Sequence, residues 1–358
     1  MSRSSPRPSR EDPRRGGRRG PGRHEPSRRN DAPEPARPLT SPRCPGCGSD
    51  VARKAFDAVE HGFEVLACRG CGMGRTIPPV APESIGRWYP ETYYGKENVR
   101  FNALFERLTR LFRMRRARAV AAQTRPGPVL DVGCGRGFIL AFLRDLGFQP
   151  HGIELSDTAA WHGRNVLKLD IETCDFLSSP HRKGIYDAVI LWHSLEHMPR
   201  PTEALGRAAE LLKPGGLLAI AVPNFESLQA RVFGRRWFHL DVPRHYFHFG
   251  SRSLAAALQR QGLRVVREDH FCLEQNPYGW IQSLYNALGF DDNFLYSLLK
   301  NRSARTMRMR HHPIQAALTG LTLPFVAAFG LLMTVAEALL RRGGTIEVYA
   351  VKAGGRAS

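Results

Sequence analysis

The hydrophobic and polar positions of this chain fall into distinct regimes. Residues 1–42 run through Arg, Pro, Ser and Gly with almost no apolar position, too little to bury, so this stretch is expected to be disordered. Between Val51 and Leu66 apolar and polar positions alternate with the period of a strand. Residues 101–122 place Phe101, Leu104, Phe105, Leu108, Leu111 and Phe112 at helical spacing. That spacing predicts an Arg-rich amphipathic helix with this stripe in the core and its arginines in solvent. From Val129 the rhythm changes again. Pro128–Val132 is a short apolar run, Gly133-Cys134-Gly135-Arg136-Gly137 follows at once, and Phe138–Leu143 opens a helix. Further strands are predicted at Pro150–Glu154, Leu169–Phe176, Tyr186–Trp192 and Leu217–Val222, with a helix from Thr202 to Leu212. Leu263–Val266 and Thr345–Val351 complete the set. Strands alternating with helices predict an α/β fold with a doubly wound, mostly parallel seven-stranded sheet.

The last two strands are separated by a long apolar insert. Pro313 to Ala336 contains no charged residue and is long enough to cross a bilayer. A single crossing would strand Thr345–Val351 away from its sheet, so it is rejected. Pro324 is expected to break the run into two helices, Ile314–Leu323 and Phe325–Leu340. Arg302, Arg305, Arg308 and Arg310 come just before. Basic residues beside apolar helices suit an anionic membrane surface. Peripheral docking of residues 302–340 on the inner membrane face and a helical lid or dimer interface are both open readings. The expected organisation is a basic tail (1–42), a zinc ribbon (43–75), a linker and amphipathic helix (76–124), the α/β domain (125–274), the helical insert (275–342) and a final strand and tail (343–358).

Four of the seven cysteines form a spaced set, Cys44-x-x-Cys47 and Cys68-x-x-Cys71, each pair followed by Gly. Such spacing lets two thiolates of one turn reach one ion, and four thiolates complete a tetrahedral structural Zn2+ with no open position. Beyond it, the aromatic run Trp88–Tyr94 reads as a linker packed on the main domain or as part of a substrate pocket.

Charge alters the picture only modestly. Lys and Arg number 52 against 33 acids, and residues 1–43 alone hold twelve Arg against five acids. The tail lacks the aromatics that would stack on bases, which argues against nucleic acid as the partner. The basic start is not followed by an apolar segment of the secretory kind, and the cysteines do not read as a disulfide framework. A cytoplasmic compartment is expected, with a peripheral contact on the inner membrane face under the docking reading.

The chemistry concentrates around the glycine turn, which lets the backbone bend sharply and approach a ligand closely. Glu154 ends the second strand, where an acid can accept ribose hydroxyls. Taken together, Asp-Val-Gly-Cys-Gly-Arg-Gly from Asp131, the acid at Glu154, Tyr186–His197 and Leu-Lys-Pro-Gly-Gly from Leu212 resemble class I S-adenosylmethionine-dependent methyltransferases. The resemblance covers roughly residues 125–272 and 344–352. It implies S-adenosylmethionine as cofactor, with Asp131, Gly133, Cys134, Gly135 and Gly137 cradling its methionine part. Glu154 would hold the ribose and Asp175 the adenine amine, and Trp192 or His193 would border the sulfonium. A nicotinamide dehydrogenase would instead show Gly-x-Gly-x-x-Gly, and Phe138 and Ile139 follow Gly137 here.

Methyl transfer to an alcohol or an acidic carbon needs a base, and imidazole titrates near neutrality. His193 and His245 are the candidates, at the rim where open α/β sheets bind ligands. Arg236 and Arg244 could pair with an anionic group of the acceptor. The stretch His193-x-x-Glu196-His197 also resembles the metal-binding stretch of ubiquinone-biosynthesis O-methyltransferases. There the first position is an acid, a departure that argues against a catalytic Mg2+. The ribbon ahead of this domain is similar to the arrangement in sugar C-methyltransferases, although this chain is too short for their further carboxy-terminal domain. The expected acceptor is a small molecule, a saccharide or lipid-linked glycan among the options. The competing readings are a partner-binding module on a methyltransferase scaffold and an RNA or protein methyltransferase. The aminomethylation signature after strand four is absent, Leu191-Trp192-His193-Ser194 standing in its place, which favours O- or C-methylation.

Overall fold

A computed structural model describes residues 43–56, 62–88, 103–291, 293–299 and 302–354. The predicted tail and residues 89–102, which include Phe101 and most of the aromatic run, lie outside the described residues, as do the side chains of Leu104 and Phe105.

The chain opens with three antiparallel strands, β1 (Ala52–Phe56), β2 (Glu64–Cys68) and β3 (Gly74–Ile77), which carry the cysteine pairs at their turns. Helix α1 (Ala103–Ala121) leads into β4 (Pro128–Val132), α2 (Phe138–Asp145), β5 (Gln149–Glu154), α3 (Asp157–Asn165) and β6 (Asp170–Thr173). Then follow β7 (Tyr186–Trp192), α4 (Pro201–Leu211), β8 (Leu212–Pro223), α5 (Leu228–Phe233), the two-residue β9 (Phe247–His248), α6 (Ser251–Arg260) and β10 (Leu263–Asp269). The insert contributes α7 (Asn276–Ala287), α8 (Phe294–Leu299), α9 (Arg302–His311) and α10 (Pro313–Leu339), and β11 (Thr345–Lys352) closes the chain.

The main sheet has seven strands in the order β10-β11-β8-β7-β4-β5-β6, with β11 antiparallel to both neighbours and β4 to β8 parallel. This is the expected doubly wound arrangement. Val129, Leu130, Ala188, Val189, Ile190 and Leu191 are fully buried because helices cover both faces. The chain builds β4, β5 and β6 outward in one direction and then returns to lay β7 on the other side of β4. That reversal opens a crevice beyond the carboxyl ends of β4 and β7, the usual ligand position in open α/β sheets.

Three sequence expectations are corrected. Among the described residues of the α1 stripe, Leu111 is 57% exposed, Leu108 is also exposed and Phe112 is half-buried, whereas Thr109, Ala117 and Val120 are buried. Arg107, Arg110 and Arg118 stay exposed as expected, but Arg115 bonds Glu347 and Arg116 bonds Glu274. Second, Pro324 does not break the apolar run, because α10 passes through it unbroken. Leu323, Val326 and Ala327 pack beside Ile281, Tyr285 and Leu295 on either side of the proline, which holds the turns together where one helical bond is lost. Third, the ribbon extends beyond residue 75, and its sheet takes a fourth strand from the α/β domain: β9 pairs with β3 through Phe247 opposite Arg75 and His248 opposite Gly74.

Candidate functional site

The site is built from the ends of neighbouring strands. After Val132 the chain turns through Gly133 (φ 77) and Gly135 (φ 54). These left-handed conformations favour glycine. Gly133 is also tight, since a Cβ there would lie 2.8 Å from Ser194 Cβ at the end of β7. A Cβ on Gly135 would meet nothing within 4 Å, so the turn opens at that point. Gly133 and Cys134 donate their N–H groups to the Ile153 carbonyl at 2.7 and 3.1 Å. Next to it, Glu154 Oε2 accepts from Gly135 N at 2.8 Å and Oε1 accepts from Ser156 N at 2.9 Å. A half-buried carboxylate therefore stands across the mouth of the turn with lone pairs still available.

Asp131 lies inside, only 2% exposed, and burial pushes its carboxyl up to about 7 against the pull of Arg116. The Arg116 guanidinium sits 5.3 Å from the Trp192 ring centre, so α1 brings a cation over the end of β7. His193 follows with φ 52, an uncommon conformation for a residue with a Cβ and one that concentrates at functional sites. Its Nδ1 is 3.2 Å from Glu196 Oε1. Burial, reinforced by Arg116, pushes His193 down to about 4, and burial pushes Glu196 up to about 7. Both groups are thus driven toward their neutral forms. His193 Nε2, Ser194 Oγ and Glu196 Oε2 are buried without a hydrogen-bond partner among the described residues. Buried polar atoms of this kind call for a ligand or ion.

Glu196 also links the two candidate bases. The loop after β8 returns His245 to it, and Glu196, His197 and His245 each put a ligand atom within 4.8 Å of the others. His197 Nδ1 is 3.1 Å from the Arg244 carbonyl, which can only accept, so Nδ1 carries the proton and Nε2 is the acceptor nitrogen. A histidine anchored this way is prepared for metal ligation, and the three residues could hold a divalent cation. His245 is buried, and that burial together with the surrounding imidazoles pushes it well below the ordinary range. Its Nε2 faces Asp241 Oδ2 at 3.8 Å. Arg244 is paired with Asp241 rather than held open for an anion, and Arg236 donates to the Asn286 carbonyl. His239, which the sequence reading missed, is buried close to His193 and donates Nε2–H to the Gln275 carbonyl at 3.3 Å.

The remaining predicted residues fall into two groups. Asp175 is exposed beyond the end of β6, its Oδ1 accepting from Leu177 N at 2.7 Å. It stands two positions after Thr173, the register partner of Glu154. Cys134 turns its thiol away from the crevice and packs with Leu140 and Ile171, leaving only its backbone at the turn.

The four ribbon cysteines converge, with Cys44 Sγ 3.6 Å from Cys71 Sγ and Cys47 Sγ 3.5 Å from Cys68 Sγ. All four sulfurs lie within 4.8 Å of one another. Sulfur spacing of this order fits tetrahedral coordination at Zn–S of about 2.3 Å. The ribbon reaches the candidate bases through Thr76. Thr76 Oγ1 donates to the His245 carbonyl at 2.6 Å and accepts from His248 Nε2 at 3.1 Å, and its N–H donates to the Tyr246 carbonyl at 3.0 Å.

Residues 103–268 match the family described as a methyltransferase domain. The chain is 32% identical over 130 residues to a ubiquinone biosynthesis O-methyltransferase of Xanthomonas oryzae, covering 34% of this chain and 54% of the relative. It is 30% identical over 150 residues to a Burkholderia pseudomallei protein of the same name, covering 38% of this chain and 65% of the relative. The chain thus spans between about half and two thirds of the length of these relatives. Among solved structures, a SAM-dependent methyltransferase from Archaeoglobus fulgidus aligns with 70% of this chain and 98% of its own at 21% identity and a TM-score of 0.43.

Proposed function

We propose that the protein is an S-adenosylmethionine-dependent methyltransferase that transfers a methyl group to an oxygen or acidic carbon of a small-molecule acceptor, a reading supported by the methyltransferase-domain match over residues 103–268. The observation that carries this reading is the Gly133–Gly137 turn, closed by the Glu154 carboxylate at the switch point of the sheet. When bound, S-adenosylmethionine supplies an electrophilic methyl on a sulfonium. The open backbone at Gly135 and the buried Asp131 receive its methionine part, Glu154 its ribose and Asp175 its adenine.

The acceptor side is formed by imidazoles. Burial favours the neutral forms of His193 and His245, which leaves a ring nitrogen able to accept a proton while making each a weaker base than a solvated imidazole. His193 Nε2 is the buried nitrogen without a partner among the described residues and is the first choice for the base. His245, held through Thr76 and Asp241, is the second. Oxygen as the target is supported by the name of the relatives, ubiquinone biosynthesis O-methyltransferase. A saccharide or lipid-linked glycan remains within the same chemistry. Cys44, Cys47, Cys68 and Cys71 hold a structural Zn2+ that takes no part in the transfer. Cys134, Cys174 and Cys272, outside the ribbon, form no disulfide.

The test has two arms. Calorimetry of the purified protein with S-adenosylmethionine is expected to give one binding event, and absence of heat rejects the enzyme reading. Comparison of extracts from a deletion strain and its parent is expected to reveal a metabolite lighter by one methylene. That species, offered to the purified protein with labelled donor, should become labelled.

A further inference from the structure

We propose that α9 and α10 dock this protein on the surface of an anionic lipid bilayer. The face that α10 turns inward combines the fully buried small or polar residues Thr319, Gly330, Thr334 and Glu337 with the partly buried Leu323, Val326 and Ala327. The face it turns outward carries Ile314, Leu321, Phe325, Leu332, Val335 and Leu339, of which Phe325 is 76% and Leu332 67% exposed. A water-facing helix would instead carry polar residues on that outer face. Of the most apolar stretch of α10, 11% is buried. Such a surface matches hydrocarbon rather than water.

By length and composition α10 could cross a membrane, but its ends are fixed in the fold. Glu337 bonds Gln229, Trp280 and Gly344, and β11 follows at once between β8 and β10. The helix therefore lies along a surface. Cations flank it at both ends: Arg305 and Arg310 are exposed on α9 beside exposed Met307 and Met309, and Arg341 and Arg342 are exposed just after α10. Basic groups at the ends of an apolar helix meet anionic headgroups while its flank enters the acyl region.

A second copy of the chain fits less well. A two-helix seam covers a narrow stripe and leaves polar flanks in water. Here the flanks are Pro324, Phe329, Leu331 and Leu340, and no charged residue occurs from Pro313 to Ala336. The pairing would also bring together two chains of formal charge +19. One consequence rests on the methyl transfer proposed above. Helix α10 packs on α7, through Gly330 against Ile281 and Tyr285 against Thr322, and Gln275 just before α7 holds His239. A membrane-borne acceptor would thus approach from the side that carries the substrate-side histidines.

Flotation of the full chain with vesicles tests the docking. The protein is expected to float with vesicles of phosphatidylglycerol and phosphatidylcholine, and roughly tenfold less with phosphatidylcholine alone. Phe325→Glu with Leu332→Glu, both exposed, should abolish flotation while zinc content and cofactor heat are kept. Arg305→Glu with Arg310→Glu should weaken binding to anionic vesicles alone, and decides the matter should the first variant misfold. Wild-type protein that stays with the lipid-free fraction in both compositions overturns the proposal. A sedimentation dimer that Phe325→Glu dissociates, without vesicle binding, assigns the face to a second copy. Flotation without cofactor heat would leave the docking standing and remove the methyl-transfer reading.

Discussion

The carboxylate of Glu154 accepts the N–H of Gly135 at 2.8 Å, so the acid at the end of one strand closes the turn that follows its neighbour. One side chain thereby serves both the shape of the cradle and the recognition of what enters it. Glu154→Gln removes the charge and turns an amide donor toward donors. Losing charge-assisted bonds is expected to weaken cofactor binding at least tenfold, or about 1.5–3 kcal/mol, with the fold retained. Calorimetry of the variant checks this. Unchanged affinity would show that Glu154 only braces the turn.

Asp131 gives a pH dependence with a definite sign. Its ordinary value is 3.8 and burial raises it to about 7 in the folded chain. Between those values the folded state keeps a proton that the unfolded state releases. The resulting stability is full below pH about 3.8 and is lost as pH rises through about 7, a change on the order of 4 kcal/mol. Asp131→Asn removes this burden and should melt higher than the parent at pH 8, with the gap closing toward pH 5. The same variant should bind the cofactor less tightly. Melting curves that run parallel across this range would refute the assignment.

Much of this was legible in the chain because buried parallel strands write themselves as continuous apolar runs, as in Val129–Val132 and Ala188–Trp192. The glycines of the turn and Glu154 were legible because backbone conformation and strand ends leave few alternatives. Other features had no local signal. The ion pairs of Arg115 and Arg116 on α1 depend on acids that arrive more than 150 residues later, at Glu347 and Glu274. The meeting of Glu196, His197 and His245 depends on the loop after β8 folding back, and β9 is too short to show a strand period. Pro324 was misread because propensity was weighed without the packing of α7 on both sides of it.

Arg116 couples α1 to the site electrostatically. It lowers Asp131 against the burial that raises it, and it bonds Glu274 beside Trp192. Arg116→Met keeps the stem and removes the charge. Asp131 should then titrate higher, so the pH at which cofactor affinity reaches half its maximum should move upward. An unshifted profile would mean that solvent screens the guanidinium from the carboxyl.

The cysteine ribbon and the histidine loop should respond together to metal loss. Cys71→Ser is expected to lose the zinc, read by atomic absorption, and to lower the melting temperature, because structural zinc contributes folding free energy. Thr76→Val should keep the zinc and the cofactor affinity. It removes the hydroxyl that holds the His245 carbonyl and His248, so kcat should fall about tenfold through misplacement of the loop, with KM for the donor unchanged. A normal kcat in Thr76→Val would leave the ribbon as a stabilising element with no hold on the histidines.

One buried acid, Glu337, ties α10 to several elements at once and gives the sharpest stability test. Its carboxylate accepts from Gln229 Nε2 at 3.0 Å, from Trp280 Nε1 at 2.9 Å and from Gly344 N at 3.1 Å, tying α10 to α5, α7 and the start of β11. Glu337→Leu is apolar and of similar bulk, yet it leaves the buried Trp280 and Gly344 N–H groups without an acceptor and Gln229 Nε2 with only the Asn276 carbonyl. At about 1–3 kcal/mol for each orphaned group, the loss should exceed roughly 2 kcal/mol. Glu337→Gln keeps one acceptor oxygen and should fall between the two. Hydrogen exchange is expected to localise the damage, with α10 losing protection first while β4 to β8 remain closed. Should Glu337→Leu melt like the parent, the apolar contacts of Tyr285, Leu323 and Val326 would suffice to hold the insert, and the buried carboxylate would have no part in fixing α10 to the sheet.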